Sequence, residues 1–442
     1  MDLDLTIQRL GQAKIASPLR LSTQSGDLVA NYVKDSARIL YDISLDAGCS
    51  SDDPHGASPL TFEKAGPRER IYFDPSKLHV GIVTCGGLCP GINTVIRTLV
   101  IELTERYNAQ RITGFRYGFA GLEPSHGYPV LELDPELVDD IHHDGGSILG
   151  TSRGPQDVEA MVDTLERMGI CLFFVIGGDG TLRGAQAIYE EITRRNLKIA
   201  VIGIPKTIDN DVLLVERTFG FETAVSIAIQ AIRSAHTEAK AAENGIGLVR
   251  LMGRHSGYIA ASAALAEPDV NLVLIPEIPF TLDGANGILE WLEARLDRSD
   301  HAVIVVAEGA GQDLLRTNTT SVDRDASGNV KLADIGLFLR DAIDRSLRKR
   351  GVPHSLKYID PSYLIRSAPA NPNDSLFASN LARSAMHAGM SGRTGMLVGL
   401  WHATFTHVPI REAIAKRKVI DPEGDLWRSV LECTGQPPVF GP

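Results

Sequence analysis

The sequence predicts an α/β protein of two lobes with mainly parallel sheets, and three observations carry that reading. Short apolar, β-rich runs alternate with helical patterns over most of the chain. Most of these runs are apolar on both faces, as strands buried between helical layers are. The helical segments are also too numerous to cover one compact sheet. The runs are LHVGIVT (78–84), CLFFVIG (171–177), KIAVIGI (198–204), GLVRLM (247–252), NLVLIP (271–276) and AVIVVAEG (302–309), each bounded by Gly or Pro. Helical periodicity lies near 93–107, 184–196, 223–242, 256–266, 283–298, 332–349 and 375–389. This regular pattern begins at Lys77. Residues 1–76, with Ser, Asp and Pro scattered through SLDAGCSSDDPHGASPL, are expected to form an N-terminal extension with one short helix. The polar stretch 316–330 is expected to be an exposed loop.

Composition narrows the function classes. The chain has 442 residues, of which 43% are hydrophobic and 22% charged, enough apolar material for a large core. The net charge of −11 lacks the positive field with which proteins read a nucleic-acid backbone, so no nucleic-acid partner is expected. No apolar run reaches the roughly 18 residues of a membrane span, and MDLDLTIQRLGQ lacks the basic-then-apolar order of a signal peptide. The reading is therefore a cytoplasmic protein with no membrane partner. Five cysteines, odd in number, fit a reducing compartment, and CGGLC (85–89) has no second ligand pair at zinc spacing. Glycine is the informative excess: its 42 copies cluster after apolar runs, where backbone would have to approach a ligand.

In open parallel sheets ligands sit at the carboxyl ends of the strands, so the residues after each run are the candidates for function. VTCGGLCPGIN (83–93) follows a strand and opens a helix, so Gly86, Gly87 and Gly91 suit either a phosphate cradle or a plain tight turn. VIGGDGTLRG (175–184) sets Asp179 at a strand end beside Thr181; it reads as a Mg²⁺ ligand or, blandly, as an N-cap. In GIPKTIDNDV (203–212), Asp209 and Asp211 point the same way if the segment is extended, with Lys206 and Thr207 beside them. One carboxylate would take a proton from an alcohol while the other helps hold metal; an Asx-rich turn is the plain alternative. Arg153 in ILGTSRGPQD and Arg254 in MGRHSG suit phosphate oxygens or surface ion pairs. Glu308 in VVAEGAG, with Lys357, Tyr363 and Arg366 in LKYIDPSYLIRSA, completes a set for sugar hydroxyls and phosphate. Together the segments describe two phosphorylated molecules with Mg²⁺ between them, the apparatus of phosphoryl transfer.

GGLCPGIN, GTSRG, GGDGT, PKTIDND, MGRHSG, AEG and YIDPSYLIR, in this order, resemble 6-phosphofructokinases, specifically the ATP-dependent branch of plants and trypanosomatids. The resemblance runs from about Lys77 to about residue 415. It implies two Rossmann-like lobes: a nucleotide lobe over 77–220 with a return at 366–415, a sugar-phosphate lobe over 221–365, and a C-terminal tail over 416–442. It implies that Gly87, Arg153, Gly154, Gly178, Asp179, Gly180 and Thr181 hold ATP. Asp179 would take Mg²⁺ with Asp211 in support. Asp209 would be the proton acceptor on the fructose 1-hydroxyl, flanked by Thr207. Ile208, Met252, Gly253, Arg254, Glu308, Lys357, Tyr363, Leu364, Ile365 and Arg366 would join Thr207 and Asp209 around fructose 6-phosphate. Arg153 and Arg254 would also steady the transferring phosphoryl group.

Two positions bear on the phosphoryl donor. In the family, an Asp where this chain has Gly180 closes the room needed by the ATP α-phosphate and marks pyrophosphate enzymes; Lys206 is a pyrophosphate-type residue that the plant and trypanosomatid ATP enzymes share. The expected donor is ATP, with a pyrophosphate enzyme or a non-catalytic sugar-phosphate sensor as alternatives. Gly245 and Lys357 stand where bacterial relatives have arginines for the sugar phosphate, and Ile101 replaces one of two effector arginines while Arg97 remains. The resemblance implies a homo-oligomer, dimer or tetramer, with altered phosphate contacts across its subunits and without bacterial-style effector control.

Overall fold

The computed structural model describes residues 3–44, 59–315 and 331–441. The loop expected over 316–330, much of SLDAGCSSDDPHG and Cys49 lie outside the described residues. The chain forms two compact units: unit 1 comprises 1–206, 212–219 and 372–416, and unit 2 comprises 207–211, 220–371 and 417–442.

The elements used below follow chain order. They are β1 (Arg38–Leu40), β2 (Thr61–Lys64), β3 (His79–Thr84), α1 (Ile92–Tyr107), β4 (Arg111–Phe115), β5 (Leu131–Glu132), α2 (Val158–Arg167), β6 (Leu172–Gly177), α3 (Asp179–Arg194) and β7 (Ala200–Pro205). There follow α4 (Phe221–Lys240), β8 (Gly245–Leu251), α5 (Tyr258–Ala266), β9 (Leu272–Leu274), α6 (Ile288–Ser299), β10 (His301–Ala307), α7 (Ile335–Lys349), β11 (Ser355–Ile359) and α8 (Ser362–Ser367). The last are α9 (Pro372–Met390), β12 (Met396–Trp401), β13 (Thr404–Pro409), α10 (Ile410–Ala413) and α11 (Asp425–Thr434).

Unit 1 holds a nine-stranded sheet in the order β1-β2-β13-β12-β7-β6-β3-β4-β5. Its middle, β12-β7-β6-β3-β4, is parallel, and the flanking pairs are antiparallel. Every residue of β3, β6 and β7 is buried, so the apolar runs that predicted these strands are the ones covered by helices on both faces. Unit 2 holds a four-stranded, all-parallel sheet, β9-β10-β8-β11. Its core packs Ile246, Leu248, Ile304 and Val306 of β8 and β10 against Leu292 of α6 and Leu339 of α7. The expected α/β architecture with parallel sheets is present in both units.

The segments expected to be peripheral are structural. Apart from one 3-10 turn at Pro75–Lys77, the described part of 1–76 contains strands rather than a helix. Phe62 of β2 is fully inaccessible, and its ring lies 5.2 Å from Trp401 and 6.0 Å from Tyr41. Glu63 beside it receives Arg68, Arg393 and His407, a buried cluster that bonds β2 to β13 and to the chain before β12. Residues 417–442 belong to unit 2: Trp427 and Val430 of α11 are buried, and Gln436 exchanges two hydrogen bonds with the backbone of Val273 in β9. No helix among the described residues is long and apolar enough to cross a membrane.

Candidate active site

The residues expected to hold the donor lie in unit 1, on the turns at the carboxyl ends of β3 and β6 and on the loop that precedes α2. After β3 the chain turns through Gly86 (φ +84°) and Gly91 (φ +97°), left-handed conformations that glycine adopts without strain, and α1 begins at Ile92. The turn is fixed by Gly86 N–H donating to Ser152 C=O (3.1 Å) and Thr151 Oγ1 donating to Gly86 C=O (2.6 Å). This brings the GTSRG loop alongside: an added Cβ on Gly87 would lie 3.5 Å from an Arg153 guanidinium nitrogen. Arg153 is exposed, and Gly154 adopts φ +100°.

The third turn departs from expectation. Helix α3 starts at Asp179, earlier than the periodicity near 184 indicates, with Gly178 rather than Asp179 as its N-cap. Asp179 is the first helical residue, where a carboxylate complements the helix dipole. Arg183 one turn on donates to both its oxygens at 3.2 Å. Gly177 has no room for a side chain, since a Cβ would fall 2.3 Å from Thr181. Gly180 is the opposite case: it is helical and exposed, and nothing lies within 4 Å of the space a Cβ would fill. The packing of the fold does not require glycine there. Lys206, the residue after β7, is almost fully buried, and its ammonium donates to the Gly87 carbonyl at 2.5 Å.

Unit 2 carries the acidic turn and the expected sugar residues. Thr207–Asp211 is not extended: Asn210 sits at φ +53°, so Asp209 and Asp211 do not share one direction as an extended strand would give. Thr207 Oγ1 accepts the Asp209 N–H and donates to Asp211 Oδ1, both at 3.1 Å, while Arg417 donates to Asp211 Oδ2 at 2.7 Å. Asp211 is thereby a buried brace with both oxygens engaged. The Asp209 carbonyl accepts Ser256 Oγ at 3.0 Å, which ties the turn to MGRHSG. Burial pushes the Asp209 carboxyl up to about 7; Asp211 and Glu308 add to the shift, and Arg366 and Arg417 oppose it. Such a carboxyl exchanges its proton near neutral pH.

Gly253 (φ +129°) follows buried Met252, and a Cβ there would strike the Ser256 carbonyl at 2.5 Å. This sharp turn leaves Arg254 partly exposed and His255 exposed. Gly309 N–H donates to the Gly253 carbonyl, setting Glu308 beside the turn. Tyr363 and Arg366 lie on α8, one turn apart, with Tyr363 84% and Leu364 69% exposed. Ile365, named with them, is fully buried, as Ile208 and Met252 nearly are; their side chains belong to the core, and only their backbone can meet a ligand. Lys357 is exposed on β11. Sequence reasoning missed Arg250, Arg417 and Arg183. For Arg250 a signal existed, a single charge inside the apolar run GLVRLM.

A single peptide bond, Lys206–Thr207, separates the last residue of the unit 1 group from the first of the unit 2 group. Among the described residues no group of three or more His, Cys, Asp or Glu side chains could hold a metal ion by itself. The chain matches the phosphofructokinase family model over residues 79–389. It belongs to the phosphofructokinase family. The match spans the turns after β3, β6, β7, β8, β10 and β11.

The ATP-dependent 6-phosphofructokinase of Borreliella burgdorferi is 47% identical over 444 residues, covering 99% of this chain and 97% of that protein. The enzyme of the same name from Amycolatopsis methanolica is 48% identical, with 99% and 96% coverage. That of Trypanosoma brucei brucei is 48% identical, with 87% and 78% coverage. Among solved structures, a pyrophosphate-dependent phosphofructokinase from Marinobacter aquaeolei superposes with a TM-score of 0.66 at 19% identity, covering 83% of this chain and 93% of that chain. Pichia pastoris phosphofructokinase in the T-state gives 0.62 at 19% identity, covering 81% and 37%. These two likenesses establish the fold alone.

Proposed function

We propose that the chain is an ATP-dependent 6-phosphofructokinase: it transfers the γ-phosphoryl group of ATP to the 1-hydroxyl of fructose 6-phosphate, giving fructose 1,6-bisphosphate and ADP. The observation that carries the reading is Asp209, a carboxyl poised near pH 7 on a braced turn. Asp209 takes the proton of the 1-hydroxyl; that oxygen bonds to the γ-phosphorus as the bond to the β–γ bridging oxygen breaks, and ADP leaves. Arg254 and Arg153 face the charge on the transferring group, an electrostatic role suited to guanidinium groups. Glu308, Tyr363 and Arg366, with Lys357 as a point charge, hold the sugar phosphate.

Gly87, Gly154 and the turn Gly178–Thr181 hold ATP, and the space outside Gly180 receives its α-phosphate. The names of the relatives at 47–48% identity support ATP as donor. For Mg²⁺, the donor set fits an ion kept largely by phosphates and water with one protein carboxylate. Asp179 offers that carboxylate, at present paired with Arg183, whose side chain is half exposed and also donates to the Ile414 carbonyl at 2.7 Å; Asp211 is read as a supporting carboxylate. When bound, the ion offsets negative charge on the phosphate oxygens. The reading places the chain in glycolysis, in the cytoplasm, as a homo-oligomer. Initial rates with fructose 6-phosphate and Mg²⁺, run in parallel with ATP and with pyrophosphate, test it. Activity with ATP alone is expected; activity with pyrophosphate alone overturns the donor, and silence with both overturns the reaction.

A further inference from the structure

Strand β8 contributes one charged side chain to an otherwise buried strand, Arg250. A guanidinium there is desolvated at a cost that only good pairing offsets. It has that pairing: Nη2 donates to Glu308 Oε2 at 2.9 Å and Nη1 to Asp360 Oδ2 at 2.5 Å, while Nε lies 3.8 Å from Asp334 Oδ1. The two bonded carboxylates sit just past the ends of the two strands that flank β8, namely β10 and β11. Asp360 in turn accepts the Ser362 N–H at 2.9 Å, at the start of α8, which carries Tyr363 and Arg366. Asp334 caps α7 by accepting the Leu337 N–H and accepts Tyr358 Oη at 3.3 Å.

We propose that Arg250 is the positioning residue of the sugar-phosphate half, its planar fork holding Glu308 on one edge and the start of α8 on the other. The proposal rests on the reading of Glu308, Tyr363 and Arg366 as sugar-phosphate residues given above. Without the guanidinium, three carboxylates face one another unneutralised, and Glu308 and α8 lose their common anchor. A lysine supplies one point charge and restores one of the two contacts, not both.

The test compares wild type with Arg250→Met and Arg250→Lys by initial-rate kinetics with each substrate varied. Calorimetric binding of fructose 6-phosphate without donor and thermal melting accompany it. In Arg250→Met the KM and Kd for fructose 6-phosphate should rise about 10- to 100-fold, the scale set by losing hydrogen bonds between charged groups. KM for ATP should stay within about two-fold, and Arg250→Lys should recover part of the loss. Adding Arg250→Met to Glu308→Gln should cost less than it does in wild type, because part of its effect runs through Glu308. A sugar KM within two-fold of wild type in Arg250→Met overturns the proposal. So does a rise in both KM values together with a collapsed melting temperature, which marks a structural role only. Should Arg250→Met fail to fold, Arg250→Lys and Asp360→Asn carry the same comparison, and unchanged sugar affinity in both overturns it. A wild type that neither binds nor phosphorylates fructose 6-phosphate overturns the functional reading itself, and is told apart because it appears before any variant is made.

Discussion

Replacing Asp209 by Asn separates chemistry from folding. The amide keeps the size of the side chain, and the bonds that fix the turn use the Asp209 backbone, its N–H to Thr207 and its carbonyl to Ser256, so the loop geometry is preserved. What is lost is a proton acceptor, and general-base catalysis is worth about 10²- to 10⁴-fold. Turnover should fall by that factor, with fructose 6-phosphate affinity by calorimetry nearly unchanged. In wild type the carboxyl raised to about 7 places the acid limb near neutrality, so kcat/KM should rise with pH through that region. Stability moves oppositely. The native state holds this proton longer than the unfolded chain does, so ionisation erodes wild-type stability as pH rises from about 4 through about 7. Asp209→Asn escapes that erosion and should melt at or above the wild-type temperature at pH 8. Near-normal turnover in the variant, or a flat acid limb in wild type, would refute the assignment.

Three further outcomes are expected. Gly180→Asp should leave stability within about 0.5 kcal/mol, since open space surrounds the position, yet cut the ATP-supported rate roughly ten-fold or more; an unchanged ATP rate rejects the donor argument. Phe62→Ala should cost about 3–5 kcal/mol in denaturant titration because the ring is fully enclosed; a loss under 1 kcal/mol would mean that β2 is dispensable to unit 1. The cluster around Glu63 predicts acid sensitivity: burial lowers His407 to about 4, and Glu63, which burial alone would push up, lies well below the usual carboxylate range because its hydrogen bond with His407 and the charges of Arg393 and Arg9 favour its ionised form. Both groups have depressed native values, so their stability is complete above about 6.5 and drains as pH falls through about 4; chemical denaturation that is flat between those values contradicts this.

The parallel cores were legible because burial on both faces writes itself into the sequence as unbroken apolar runs: β3, β6 and β7 lie within two residues of their predicted bounds. Strands flanked by charge or broken by glycine left no such run. RITGF of β4 begins on an exposed arginine, and MLVGLW of β12 carries Gly399 where Val215 and Val408 crowd in. The start of α3 was hidden by Gly180 and Gly184, which dilute the helical pattern in its first turns. Polar residues after the strands were readable because chemistry at a strand end interrupts apolar sequence. Their partners were not. Arg250 meets Glu308 and Asp360 across 58 and 110 residues, and Arg417 meets Asp211 across 206, separations that carry no local pattern.

The interleaving of the units sets an order of assembly during synthesis. Strand β7 must wait for β12, pairing Ile202 with Met396, so the larger sheet keeps an open parallel edge while the whole of 220–371 is being made. Closing so long a loop is slow, and an unpaired apolar edge invites other chains. The four-stranded sheet of unit 2, whose strands all fall between 245 and 359, can form during that wait. A nascent chain that stalls before residue 396 would therefore carry a finished small sheet and a sticky large one, so chaperone demand should peak in the interval between them.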